Sequence, residues 1–158
     1  MTAIQDLYPA DYSHCYGCGR LNSQGLHIKT EWTGGEGVAH FTPRPEHIAL
    51  PGYVYGGLIA SLIDCHGIGT ASAAALQASG KTPGKDPSPR FVTAALELVF
   101  LKPTPLGTEL VIRARPVKVD ERKVIVEATI SANGVDTVRG TVVAAPLPES
   151  MARSRADS

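Results

Sequence analysis

The stretch Tyr55-Gly56-Gly57-Leu58-Ile59-Ala60-Ser61-Leu62-Ile63-Asp64, continuing through Cys65 and His66 to about Ser79, decides how this chain is read. It contains no proline and is rich in Ala and Leu, so it predicts a helix. At ~1.5 Å per residue that helix is roughly 33 Å long. It is apolar around most of its circumference, and such a helix is wrapped by other structure rather than laid on a surface. Asp64 and His66 interrupt the chain's most apolar run, which makes a membrane span a poor reading.

On the N-terminal side, Pro43, Pro45, Pro51 and Gly52 break regular structure. Before them Leu26, Ile28, Thr30 and Trp32 alternate with His27, Lys29 and Glu31, the period of a strand with one buried face. Gly34-Gly35 predicts a turn and Glu36 to Thr42 a second strand. Residues 1–20 show no period and read as an irregular N-terminal segment.

On the C-terminal side, the Pro- and Gly-rich loop 80–89 precedes four strand-like segments. The first, Phe91 to Leu101, places Leu96, Leu98 and Phe100 on one face. The second, Glu109 to Val119, slips phase at Pro116, where a bulge or an edge is expected. The third alternates Val124, Val126, Ala128 and Ile130 with polar residues, and Asn133-Gly134 is a strong hairpin signal leading to the fourth, Val135 to Ala145. Residues 147–158 read as a flexible polar tail. Two strands, a long apolar helix and a four-stranded meander predict an α+β domain, an antiparallel sheet curled around the helix.

Composition excludes several function classes. The 158 residues are 43% hydrophobic and 19% charged, ordinary for a folded domain. Lys plus Arg equals Asp plus Glu at 15 each, so bulk positive charge for nucleic-acid binding is missing. Three cysteines make no disulfide scaffold, and the first residues lack a basic start and an apolar run, so a reducing cytoplasm is the expected compartment. No Walker loop, dinucleotide glycine fingerprint or His-Glu-x-x-His stands in the chain, and no cofactor is expected.

Asp64 is the most informative residue for chemistry. Asp is a weak helix former, and burying its carboxylate is costly without compensation. A catalytic or substrate-facing role explains it better than a solubilising stripe. Gly56-Gly57 opens the helix, where unpaired N–H groups and the positive dipole end meet, and glycine lets a ligand carbonyl approach. An oxyanion hole fits there, although Gly-Gly before a helix is often only a turn. Tyr55 either donates to a carbonyl or packs at the mouth of the core. Ser61 shares the face of Asp64, whereas His66 points elsewhere, so a Ser–His–Asp triad is poorly supported and His66 reads as a satisfied core histidine. Cys15 and Cys18 form Cys-x-x-Cys. Zinc needs about four ligands, and only His14, His27 or a partner chain was available to complete the set, so a turn with buried cysteines and no metal is expected.

Tyr55 to Asp64 resembles the His-Gly-Gly helix start of hotdog-fold acyl-CoA thioesterases, in particular the PaaI-like members, in which a carboxylate follows at this interval. Cys15-Tyr16-Gly17-Cys18-Gly19 through Gly25-Leu26-His27-Ile28 is similar to their N-terminal segment. Val92-Thr93-Ala94-Ala95-Leu96-Glu97-Leu98 to Phe100-Leu101-Lys102-Pro103 is similar to their strand after the helix. The resemblance implies a hotdog domain over 21–146, and dimers or tetramers with active sites at the subunit interface. It implies acyl-CoA as the partner, with neither nucleic acid nor membrane. It implies Asp64 as general base or nucleophile, the Gly57 N–H as oxyanion donor, and Thr93 from the other subunit placing water. Tyr55, Gly56, Ser61 and Lys102 would contact substrate. Tyr55 stands where this family usually has His. A hotdog hydratase would need Asp and His together, which Asp64 and His66 do not provide. A non-catalytic acyl-CoA-binding or sensing module is the alternative that Tyr55 favours.

Overall fold

The computed structural model describes residues 1–153. The helix α1 spans Gly56–Ala78. Around it lie β1 (Glu31–Thr33), β2 (Glu36–Phe41), β5 (Phe91–Phe100), β6 (Leu110–Val119), β7 (Val124–Ala132) and β8 (Val135–Pro146). They form one antiparallel sheet in the order β1-β2-β6-β7-β8-β5. Between β2 and α1, β3 (Ile48–Leu50) and β4 (Tyr53–Val54) pair as a separate two-stranded sheet, a hairpin within the stretch read from sequence as broken.

The architecture is the hotdog arrangement: a sheet wrapped around one long helix. Period-2 alternation turns Leu110, Ile112 and Ala114 of β6, Val124, Val126, Ala128 and Ile130 of β7, and Val138, Val142 and Ala144 of β8 toward α1. Leu58, Leu62, Ile63 and Ala71 meet them with 0% exposure. Each large apolar side chain buried this way contributes roughly 1.5–3 kcal/mol. The helix sits close to the sheet because glycines permit it. A Cβ on Gly67 would stand 2.6 Å from Val142 Cγ2, and one on Gly140 2.8 Å from Ile63 Cγ2. α1 is long and apolar enough to cross a membrane, yet 78% of its most apolar window is buried inside the protein.

Several expectations are met in detail. The bulge lies between Pro116 and Lys118. Asn133 and Gly134 adopt φ of 51° and 76° and close the β7–β8 hairpin. Other expectations are corrected. The last four strands are not a meander: β5 pairs with β8, and β6 pairs with β2 and β7. The connection from β5 to β6 carries Pro103, Pro105 and Gly107 and no two-residue hairpin turn. It is held instead by the segment before α1, through Val54 N–H to Thr104 O (2.9 Å) and Leu106 N–H to Gly52 O (2.9 Å). Of the residues read as one face of β5, Leu98 packs against the core, while Leu96 and Phe100 are 40% and 56% exposed on a strand at the sheet edge.

Residues 26–30 alternate in burial as expected but join no strand. Their N–H groups bond the N-terminal segment instead, Leu26 to Tyr16 O (2.8 Å) and Ile28 to Gly17 O (2.9 Å). Residues 1–20 contain two 3-10 turns, Ile4–Leu7 and Ala10–Tyr12, and bury Ile4 and Gln5 completely. Within the tail, Glu149–Arg153 is a short helix, α2, and 154–158 lie outside the described residues.

Candidate active site

His66 proves to be structural. Its Nε2–H donates to Gly37 O at 3.1 Å, which leaves Nδ1 to accept from the Thr30 hydroxyl at 2.9 Å. Gln5 Nε2 donates to Thr30 Oγ1 (2.8 Å), and Thr30 N–H donates to Gln5 Oε1 (2.8 Å). Every member has a partner, so the network costs little to bury and ties the N-terminal turn to α1. Burial pushes the imidazole down to about 4, opposed in part by the Gly37 carbonyl.

Asp64, two residues back on α1, faces the other way. It is half-buried and accepts a 2.5 Å hydrogen bond at Oδ1 from the Thr93 hydroxyl. The bond lies within one chain, whereas the sequence reading took Thr93 from the other subunit. The physical reason is that β5 runs along α1 and carries Thr93 to its own helix. Register shifts between Thr93 and Ala95 in the pairing with β8. Asp64 and Thr93 line a cleft of about 140 Å³ with Cys15, Cys18, Cys65, Ile68, Arg90, Phe91 and Val92.

Tyr55, Gly56, Gly57 and Ser61 gather at the N-terminus of α1. The helix starts without a side-chain cap from Tyr55, so its first N–H groups keep no intrahelical partner. A Cβ on Gly57 would stand 2.5 Å from Tyr55 Cε2, so the tyrosine ring lies against this turn. A Cβ on Gly56 would be 3.7 Å from the Phe100 ring. Ser61 donates to Gly57 O at 2.9 Å, back-bonding its own helix. Lys102 is exposed just past β5, nine residues from Thr93 and so up to about 30 Å away along an extended chain. Gly57 and Asp64 are seven residues apart, about 10 Å along the axis. The candidates of one chain therefore fall into two separate groups, or candidate half-sites: a carboxylate with its hydroxyl, and a glycine helix start with Tyr55.

Sequence reasoning missed Cys65. Its sulfur lies 3.9 Å from that of Cys15, and the sulfurs of Cys15, Cys18 and Cys65 all lie within 4.8 Å of one another. Neither His14 nor His27 belongs to this group. Only a fold that lays the N-terminal segment across α1 brings them together, so no local spacing signals it. The side chains of Cys18 and Cys65, then the backbone N–H groups of Cys18 and Gly17, hold Cys15 well below the usual thiol range against the effect of burial. Cys15 in turn pushes Cys18 up to about 12 and raises Cys65 further. A larger groove, about 510 Å³, crosses the sheet's outer face without touching either half-site. There Glu36 pairs with Arg113 (2.6 Å) and Arg115 (3.1 Å).

Residues 51–138, which hold the helix start, Asp64 and Thr93, match the family model of the thioesterase superfamily. The chain belongs to the thioesterase superfamily. A thioesterase superfamily protein from Shewanella loihica is 48% identical, with 87% of this chain and 97% of that one covered and a TM-score of 0.67. The PaaI protein of E. coli, from the phenylacetic acid degradation operon, shares the fold at 15% identity and a TM-score of 0.63 over 78% of this chain and 81% of that one. A Streptococcus mutans protein bound to acetyl CoA does so at 16% identity and 0.63, over 76% and 88%. No curated protein matches the sequence.

Proposed function

We propose that this superfamily member hydrolyses acyl-CoA thioesters, releasing a free acid and coenzyme A. The observation that carries the reading is the Asp64 carboxylate, fixed by Thr93 in a small cleft midway along a helix that begins with two uncapped glycines. The coenzyme ligand of the structurally similar Streptococcus mutans protein supports the choice of carrier.

Hydrolysis needs an activated nucleophile and a stabilised oxyanion. Asp64 acts as general base on a water, or attacks as nucleophile. The Gly57 N–H polarises the thioester carbonyl. With water as nucleophile, a C–O bond forms at the acyl carbon and the C–S bond breaks. The proton taken by Asp64 passes to the leaving thiolate. Thr93 holds the carboxylate so that its free oxygen faces the water. The substrate contacts proposed for Tyr55, Gly56 and Ser61 belong to the half-site at the helix start, and the one proposed for Lys102 comes from the exposed residue just past β5.

Both groups must lie within about 3 Å of the reacting atoms, and about 10 Å of helix separates them in one chain. The site is therefore assembled from Asp64 and Thr93 of one copy and Gly57 of another. The sheet edge β5 supplies a surface for that pairing, because Leu96, Val99 and Phe100 stand 40%, 40% and 56% exposed there. Long apolar edge strands are rarely left unpaired. A reducing cytoplasm fits the three free thiols.

The test mixes two inactive variants, Asp64→Asn and Gly57→Pro, after reversible dissociation. Heterodimers keep one intact site of two, so statistical mixing restores about a quarter of parental thiol release. No recovery from two folded, exchanging variants would sink the shared site. Tyr55, packed against the turn that would polarise the carbonyl, favours a second reading as an acyl-CoA-binding module. That reading requires tight acyl-CoA binding and no thiol release by the parent.

A further inference from the structure

The three cysteines take no part in the reaction proposed above, yet they converge on one point. Cys15 and Cys18 come from the turn Cys15-Tyr16-Gly17-Cys18-Gly19, and Cys65 comes from α1. Their sulfurs all lie within 4.8 Å of one another, and Cys15 and Cys65 are 3.9 Å apart. A zinc ion holding sulfur at about 2.3 Å in tetrahedral geometry sets its sulfurs about 3.8 Å from each other. A disulfide would need about 2.0 Å.

The turn itself is arranged around sulfur. Gly19 N–H closes the turn on Cys15 O at 2.8 Å. Only glycine fits at position 17, where a Cβ would stand 2.3 Å from Cys65 Sγ. At position 19 a Cβ would stand 2.4 Å from Cys15 N. Cys15 is half-exposed while Cys18 and Cys65 are buried, so the set opens on one side, into the cleft it shares with Asp64 and Thr93. Asp64 is not within the ligand group. An all-thiol set selects a soft or borderline cation over magnesium or calcium.

We propose that Cys15, Cys18 and Cys65 bind one zinc ion as three thiolates, with the fourth position turned toward the cleft and filled by water. Binding releases the remaining thiol protons to solvent. The ion clamps the N-terminal segment to α1 one residue beyond Asp64, so it stiffens the wall of the cleft without entering the hydrolysis. The proposal is independent of the thioesterase reading, since it concerns metal uptake rather than turnover.

The test is a cobalt titration of the full chain after chelator treatment under a thiol-free reductant. The expected result is one cobalt per chain with strong sulfur-to-metal charge-transfer absorption in the near ultraviolet, displaced by zinc. Zinc should also raise the thermal midpoint of the parent. Cys65→Ser, checked for folding by circular dichroism, should weaken cobalt binding by roughly a hundredfold or more, beyond the usual effect of an outer-shell change, and lose the midpoint response. A reduced, folded parent that shows no thiolate–cobalt absorption overturns the proposal, whatever the variants do. So does a folded Cys65→Ser that binds cobalt as the parent does.

Discussion

Thr93 Oγ1 donates to Asp64 Oδ1 at 2.5 Å, across 29 residues of chain and from the edge strand to the central helix. The hydroxyl has used its proton on the carboxylate, so it positions Asp64 and serves incoming water only as an acceptor. Asp64→Asn should lower kcat for acyl-CoA hydrolysis by about 10²–10⁴, the usual worth of a positioned acid or base. Thr93→Val should lower it by roughly tenfold, about 1.4 kcal/mol, with little change in KM. Free-thiol release under saturating substrate measures both. An unchanged kcat in Asp64→Asn removes Asp64 from the chemistry.

Gly57→Ala tests the helix start. Alanine is the better helix former by about 1 kcal/mol, so stability alone predicts a gain. The added Cβ would nevertheless stand 2.5 Å from Tyr55 Cε2 and must displace that ring. The single variant should lose turnover, and Gly57→Ala with Tyr55→Ala should recover thermal stability to at least the parental value. A single variant as active as the parent would show that neither ring nor glycine controls access to the N–H.

Val99→Lys places a charge on the exposed edge of β5, at a residue already 40% exposed. Edge lysines are a known means of blocking strand pairing. The variant should keep its far-ultraviolet spectrum, move to the monomer position in light scattering and lose most thiol release. A monomer that retains full turnover would contradict the shared site.

Acid should unfold the protein through its buried histidines. Burial lowers His66 to about 4. Burial, then the nearby Arg44, also lowers His47, whose Nδ1 accepts the Arg44 N–H at 2.9 Å. Below about 6.5 the unfolded chain takes up a proton that the folded chain refuses, so stability falls as pH falls. For His66 the loss is complete near its folded value and is on the order of 3 kcal/mol. Denaturant midpoints between about pH 7.5 and about pH 4.5 should track this, with a shallower slope in His66→Gln. A slope as steep in the variant as in the parent would assign the acid sensitivity elsewhere.

Much of this molecule is determined by its sequence alone. The helix is legible because an apolar, proline-free run follows a glycine pair, and the inward faces of β6, β7 and β8 because their residues alternate. The Asn133-Gly134 turn is legible because its two residues tolerate positive φ. Asp64 stands out because a carboxylate in such a helix needs a reason. These signals sit within one element, where periodicity and local sterics act over a few residues.

Tertiary structure decided the rest. Nothing local to Phe91–Phe100 says that it lies beside β8, because antiparallel pairing with β6 would satisfy the same alternation. The Thr93–Asp64 bond, the convergence of Cys65 on Cys15 and Cys18, and the division of the candidate site into two halves all depend on it. Each joins residues far apart in sequence, and only the packing of the sheet and the N-terminal segment around α1 brings them within reach of one another.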